Sequence, residues 1–340
     1  MTNRIITMLL GGAFLLVSCE SHYQAELNEA PVNVNAHLSL PVTDSFISEQ
    51  DCEELLNLQA KIALINDQYG VVVNRSGGIN WPRFWAVAGS DAVGAVVFGL
   101  ISGNWWGILG GAVACSVGSY ATGVDLDQLT GIGTNPPSSN PSSGHILPVS
   151  SFVGYDDNGQ QLYYDQIEFG EIGETIDMQE EIRENIGILH NQAIISLYQE
   201  YGDSLCLCSH STIIDQTIER VASWYGLESW EVPHFFFLND YFEDAIVDED
   251  EDFVELAETY TAYADLFPVV KSYIVAIVQL ETGAQIIAYQ GQVTNLIQSS
   301  SLSEACKETL LSGLDVMVSS NGLWVVDDEL IEEEGEELNF

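Results

Sequence analysis

Cys206, Cys208 and His210 form a Cys-x-Cys-x-His array, two thiols and an imidazole of the kind that bind zinc. Structural zinc sites usually separate the first two cysteines by about two to four residues and add a second ligand pair far along the chain. No second pair is evident, so buried thiols or a disulfide partner suit the array better than a metal. The run Asp248-Glu249-Asp250-Glu251-Asp252 offers oxygens to a hard cation. A calcium loop opening at Asp248 would need glycine at its sixth position and glutamate at its twelfth, where Phe253 and Thr259 stand. The run therefore reads as a solvated acidic loop. His190-Asn191 lies inside a helical pattern, where a single histidine is more often a satisfied helix residue than a catalyst. Gly-x-Ser-x-Gly, His-Glu-x2-His and phosphate-loop patterns are absent from the sequence. No catalytic residue, metal ligand or cofactor is assigned. A hydrolase with an unrecognised site stays as an alternative, with His190 the residue to probe.

Cys19 has the most specific surroundings. Arg4 supplies a positive n-region, and Ile5 to Val17 form an uncharged, mostly apolar stretch too short for a standard transmembrane helix. It ends in Leu16-Val17-Ser18-Cys19, which resembles the bacterial lipobox: an aliphatic residue, a small or β-branched one, a small one, then cysteine. The resemblance implies that Leu16, Val17 and Ser18 are read by the signal peptidase and that cleavage falls before Cys19. The Cys19 thiol would then carry the lipid, and two or three acyl chains suffice for stable anchoring. Residues 1–18 are thus expected to be a lipoprotein signal and 19–50 a lipidated polar tether, holding the protein to a bacterial envelope, with the outer membrane the expected site. Glu20 resembles a weak form of the acidic surface-export signal of Bacteroidota lipoproteins. With Cys19 acylated, five cysteines remain. An exported location permits disulfides. Cys52 with Cys306 is one pairing the sequence allows, but connectivity cannot be read from it.

Charge narrows the partners. Eight basic residues face fifty-one acidic ones, a formal net charge of −43. Such a surface repels phosphate backbones, which argues against nucleic acid, and disfavours flat docking on anionic headgroups. It suits solubility, cation binding or a salty habitat.

The charge is spread unevenly. Between Arg83 and Asp125 the only charged residue is Asp91, and the segment is rich in glycine, alanine and valine. Gly99, Gly103, Gly107 and Gly111 recur every fourth residue, with Ala95 before them and Cys115 and Ser119 after. Residues four apart share a helix face, and a ridge without side chains admits another backbone closely. Glycine loses about 1 kcal/mol against alanine in a helix, so four in register suggest close packing that offsets the loss. The stripe resembles the glycine-zipper segments of bacterial outer-membrane lipoproteins, which implies a protein partner or self-association. Two arrangements stay open. Residues 84–103 and 104–124 are each near the roughly 20 residues of a membrane span, with aromatics near their ends and a turn at Ser102-Gly103-Asn104. Alternatively they form a helical hairpin packed inside the protein. Asp91 opposes the first, at up to about 3 kcal/mol near a bilayer centre.

The expected fold is mainly α. Leu55, Leu58, Ile62 and Ile65 mark a helix near 51–67, so that 51–124 holds a helix plus the glycine-rich segment. Residues 125–151, rich in proline and serine around 134–144, read as a linker and domain boundary. Residues 152–324 read as a helical domain opened by a β-hairpin turning at Asn158-Gly159. Its helices are expected at 178–201, 212–225, 253–266 (stopped before Pro268), 269–280 and from a Ser301/Glu304 capping box to about 319. Residues 325–340 read as an acidic tail.

Two parts together resemble a group of Bacteroidota proteins with no activity to carry over. One is Ile186-Gly187-Ile188-Leu189-His190-Asn191, similar to a "VGxLHN" helix motif, with Ser301-Leu302-Ser303 and Ser320-Asn321-Gly322-Leu323-Trp324 following later. The other is Trp85 to Ala121, similar to a small-residue segment through Trp85, Asp91, Ala92, Gly94 and Ala95. The resemblance implies that Asp91 is a polar cap or helix-contact residue. The functional expectation is a lipid-anchored envelope protein, structural or interacting, with a membrane-associated glycine-rich segment. A membrane-active effector that inserts the hairpin is the alternative from a different class.

Overall fold

A computed structural model describes residues 47–71, 83–121, 146–148, 151–167, 178–227 and 252–326. The signal, Cys19 and its lipobox, most of the tether, most of the Pro/Ser-rich linker and the end of the acidic tail lie outside the described residues. All of the described residues belong to one compact unit, 45–340.

That unit is mainly helical. Helix α1 spans Glu49–Gln68, α2 Arg83–Ser102 and α3 Trp105–Ala121. Strand β1 is Ile146–Pro148, β2 Phe152–Tyr155 and β3 Gln161–Tyr163. Then come α4 Met178–Tyr201, α5 His210–Trp224, α6 Asp252–Thr259, α7 Leu266–Ile277, α8 Gly283–Gln298, α9 Glu304–Ser320 and β4 Trp324–Val326. The hairpin β2–β3 turns at Asn158-Gly159 as expected. Gly159 takes φ +74°, and the Asp156 carboxylate accepts from the Asn158 and Gln160 amides.

The glycine-rich segment is the centre of the fold. Helices α2 and α3 fold back on each other at Gly103, whose φ of +63° a side chain would resist. α9 and α7 pack on α2, and α4 and α5 pack on α3. From Val87 to Leu100 and from Trp106 to Ser119 every residue is buried. A helix apolar all round must be enclosed by something, and here other helices do it. Among the described residues no helix is long and apolar enough to cross a membrane. The change of composition at 125–151 is therefore not matched by a break in packing. β1, inside the expected linker, pairs antiparallel with β4, so Val325 and Val326 are strand rather than tail.

Several boundaries move for physical reasons. Ser48 caps α1 and exchanges hydrogen bonds with Asp51, which starts the helix before the expected tether ends. The expected 253–266 helix breaks at Tyr260, and Pro268 lies in the first turn of α7, where its missing N–H has no intrahelical partner to lose. The Ser301/Glu304 box does not form. Ser303 is the N-cap of α9, and its amide donates to Asp51 Oδ1 of α1 at 2.7 Å. Helix α8 is not among the sequence expectations, although Thr282 and Gln285 form its capping box and Ile286, Tyr289, Val293 and Ile297 line its buried face. Asn66 ties α1 to two later helices: its amide donates to the Ser272 carbonyl at 2.9 Å and its oxygen accepts from the Tyr289 hydroxyl at 2.8 Å.

Candidate functional site

The one charge of the glycine-rich segment does not stand alone. Asp91, on α2, is 0% exposed, and its Oδ2 accepts from the Ser320 hydroxyl at the end of α9 and from Trp324 Nε1 on β4. His190 on α4 is also fully buried, with Nε2 3.7 Å from Asp91 Oδ2. Thus Asp91, His190-Asn191 and the Ser320-to-Trp324 stretch, far apart in sequence, meet at one point in the core.

The local sequence explains the meeting. Gly187 lets α9 lie against α4: a methyl there would meet Ser319 Oγ and come 2.5 Å from the Asp315 carbonyl oxygen. One turn later, Asn191 donates from its amide nitrogen to the Val153 carbonyl at 3.3 Å and to the Ser319 carbonyl at 2.8 Å. That leaves its oxygen toward His190 Nδ1, at 2.9 Å. An amide oxygen only accepts, so Nδ1 carries the hydrogen and Nε2 presents a lone pair toward Asp91. Neither His190 Nε2 nor Asp91 Oδ1 has a hydrogen-bond partner.

Burial sets the protonation. Desolvation raises the Asp91 pKa from 3.8 to about 7, against the lowering effect of Ser320, Ser116 and Trp324. Desolvation lowers that of His190 from 6.5 to about 4, although Asn191 and the Ala112 backbone favour its charged form. Near pH 6 the pair holds one proton, on the carboxyl, and neither group is charged. Asp, His and Ser are the residue types of a hydrolytic relay, but the order is wrong. Ser320 donates to the carboxyl instead of to the imidazole, and all three side chains are sealed from solvent. The cluster can hold a proton and lock four segments together, but nothing reaches it to react.

The stripe glycines separate. Gly111 faces Phe98 across the hairpin, where a methyl would overlap the ring. Gly99 faces Ile108, 3.2 Å from where a methyl would sit, and Thr309 of α9. Gly107 is buried in the first turn of α3. Gly103 is the turn itself, with nothing within 4 Å of an added Cβ. The stripe is therefore not one helix ridge, because the chain reverses inside it. Gly94 and Gly110 share its packing role: a methyl on Gly94 would stand 2.7 Å from Cys115 Sγ, and one on Gly110 2.9 Å from Ile214.

Cys206 and Cys208 lie in and just after a 3-10 turn following α4, and His210 opens α5. Among the described residues no group of three His, Cys, Asp or Glu side chains is arranged to hold a metal ion. A shallow cleft of about 210 Å³ is lined by Tyr164, Ile167, Gln192 and Trp224, with no carboxylate, imidazole or thiol among these. Sequence reasoning reached Asp91 and His190 separately, but missed that they face each other, and it missed Ser116. The signal available was polar residues inside apolar patterns: Asp91 among small residues and His190-Asn191 on a buried helix face. Comparison with known protein families, curated proteins and solved structures found no match to this chain.

Proposed function

We propose that the chain is a lipid-anchored protein of a bacterial envelope, whose folded part is a non-enzymatic interaction module presented on a polar tether. The observation that carries this reading is the enclosure of the glycine-rich hairpin. With the hairpin used as core, the acyl chains on Cys19 are the anchor, and the acidic exterior faces solvent and partners. The sealed Asp91–His190 cluster supports a structural role over a catalytic one. The test is fractionation of a tagged wild type beside Cys19→Ala, with each membrane fraction washed in carbonate. The wild type is expected to stay with membranes and Cys19→Ala to become soluble. Carbonate-resistant Cys19→Ala would overturn the reading.

A second reading, a membrane-active effector, draws on the same hairpin. Its two helices are apolar on every side, and the one acid between them is neutral below about pH 7. Insertion would require α4, α5, α7 and α9 to open. Dye leakage from liposomes at low protein concentration would favour it over the first reading, and intact liposomes at acid and neutral pH would end it.

A further inference from the structure

We propose that Cys52 and Cys306 are joined by a disulfide in the exported protein, stapling the start of α1 to the start of α9. The two helix N-termini already meet. Asp51 caps its own helix through Ser48 and accepts the Ser303 amide of α9 at 2.7 Å. Cys52 adjoins Asp51, and Cys306 lies in the first turn that Ser303 opens. Cys52 is partly exposed, whereas Cys306 is fully buried. The two thiols are near enough that an ionised Cys52 would make it harder for Cys306 to ionise.

Cys115 and Cys208 are held elsewhere. Cys115, on α3, is buried against Gly94 of α2, and Cys208 sits near Tyr201 at the end of α4. Burial and Asp51 push the Cys52 and Cys306 thiols up, with Asp265 adding to the effect on Cys52, which makes them poor nucleophiles and suits a structural bond better than a reactive site.

The source of oxidant rests on the exported reading; the closeness of the cysteines does not. The oxidant is a disulfide donor. The Cys52 thiolate attacks one donor sulfur and displaces the other as thiolate. The Cys306 thiolate then attacks the Cys52 sulfur and displaces the first. One S–S bond forms and the donor's breaks. Two electrons pass to the donor, and the two protons lost from the cysteines end on its two thiols.

The test uses the full-length chain carrying Cys19→Ala, folded and incubated with oxidised glutathione. It is then alkylated under denaturing, non-reducing conditions and digested for mass spectrometry. The expected result is a peptide pair joined through Cys52 and Cys306 that separates on reduction, with Cys115 alkylated. The bond closes a loop of about 250 residues, so Tm should be roughly 5–10 °C higher oxidised than reduced. Cys52→Ser, at the more exposed position, should abolish that difference while still folding. Alkylation of both cysteines after oxidation, or Cys52 joined to Cys206 or Cys208, would overturn the proposal. Because this test needs no export, its failure is separate from that of the fractionation above.

Discussion

The Asp91–His190 pair should oppose itself in the pH dependence of stability, and single substitutions should expose the two halves. The folded Asp91 pKa, about 7, lies above its ordinary 3.8. Between these values the folded chain holds a proton that the unfolded chain lacks, so its contribution is full below pH 4 and is lost as pH rises toward 7. The folded His190 pKa, about 4, lies below its ordinary 6.5. Here the unfolded chain holds the extra proton, so the contribution is full above pH 6.5 and is lost as pH falls toward 4. One pKa unit is worth about 1.4 kcal/mol, which makes the swings about 4 kcal/mol for Asp91 and about 3 kcal/mol for His190, of opposite sign in one window. In the wild type they nearly cancel. Denaturant unfolding of wild type, Asp91→Asn and His190→Gln, measured from about pH 4 to pH 8, separates them. Relative to wild type, Asp91→Asn should gain about 4 kcal/mol as pH rises across the window, and His190→Gln should lose about 3 kcal/mol. Taking differences removes the other acids, including Asp315, which burial raises to about 6. Variant curves parallel to wild type would refute the assignment of a protonated Asp91 beside a neutral His190 in the core.

Other substitutions test the packing. Gly187→Ala and Gly111→Ala force a methyl into α9 backbone and into the Phe98 ring, and each should cost about 1–3 kcal/mol in denaturant unfolding. Gly291→Ala is the opposite case: it is mid-helix in α8 with nothing within 4 Å of the new atom, and it should gain about 0.5–1 kcal/mol. Thr282→Ala removes the side chain that caps α8 and should cost about 1 kcal/mol, read as a lower Tm. Tyr289→Phe leaves the Asn66 oxygen without its donor in the core and should cost about 1–2 kcal/mol, with faster amide exchange where α1 meets α8.

The mainly helical class, the hairpin at Asn158-Gly159 and most helices are legible in the sequence because they rest on local signals. Leu55, Leu58 and Ile62 mark a face, Gly202 and Gly226 take positive φ after α4 and α5, and Gly103 makes the hairpin turn. What is not legible depends on distant partners. A Ser301/Glu304 box is a good local signal, but Asp51 on another helix accepts from the Ser303 amide, so the cap shifts to Ser303. A Pro/Ser-rich stretch looks like a boundary, but β1 just beyond it pairs with β4 near the other end of the chain. Asp91 was readable as a polar contact residue, but nothing within a helix-length window says that its neighbour is His190.

The cluster is a costly way to fill a core, so its place in the fold calls for a physical reason. Apolar groups of matching shape often stabilise as well as a buried polar network or better. What such groups do not supply is register. Asn191 uses both amide hydrogens and its oxygen, on Val153, Ser319 and His190, and Asp91 takes Ser320 and Trp324. Sliding α4 by one turn moves it about 5.4 Å and would break all of the Asn191 bonds to other segments at once. In the hairpin, by contrast, small residues packed on small residues discriminate poorly between one register and the next. On this reasoning Asn191→Leu should keep its helix content by far-ultraviolet circular dichroism while amides near Ser319 and Val153 lose protection from exchange. Unchanged protection there would mean that apolar packing alone sets the register, and that the cluster's proton chemistry, not its geometry, has to account for it.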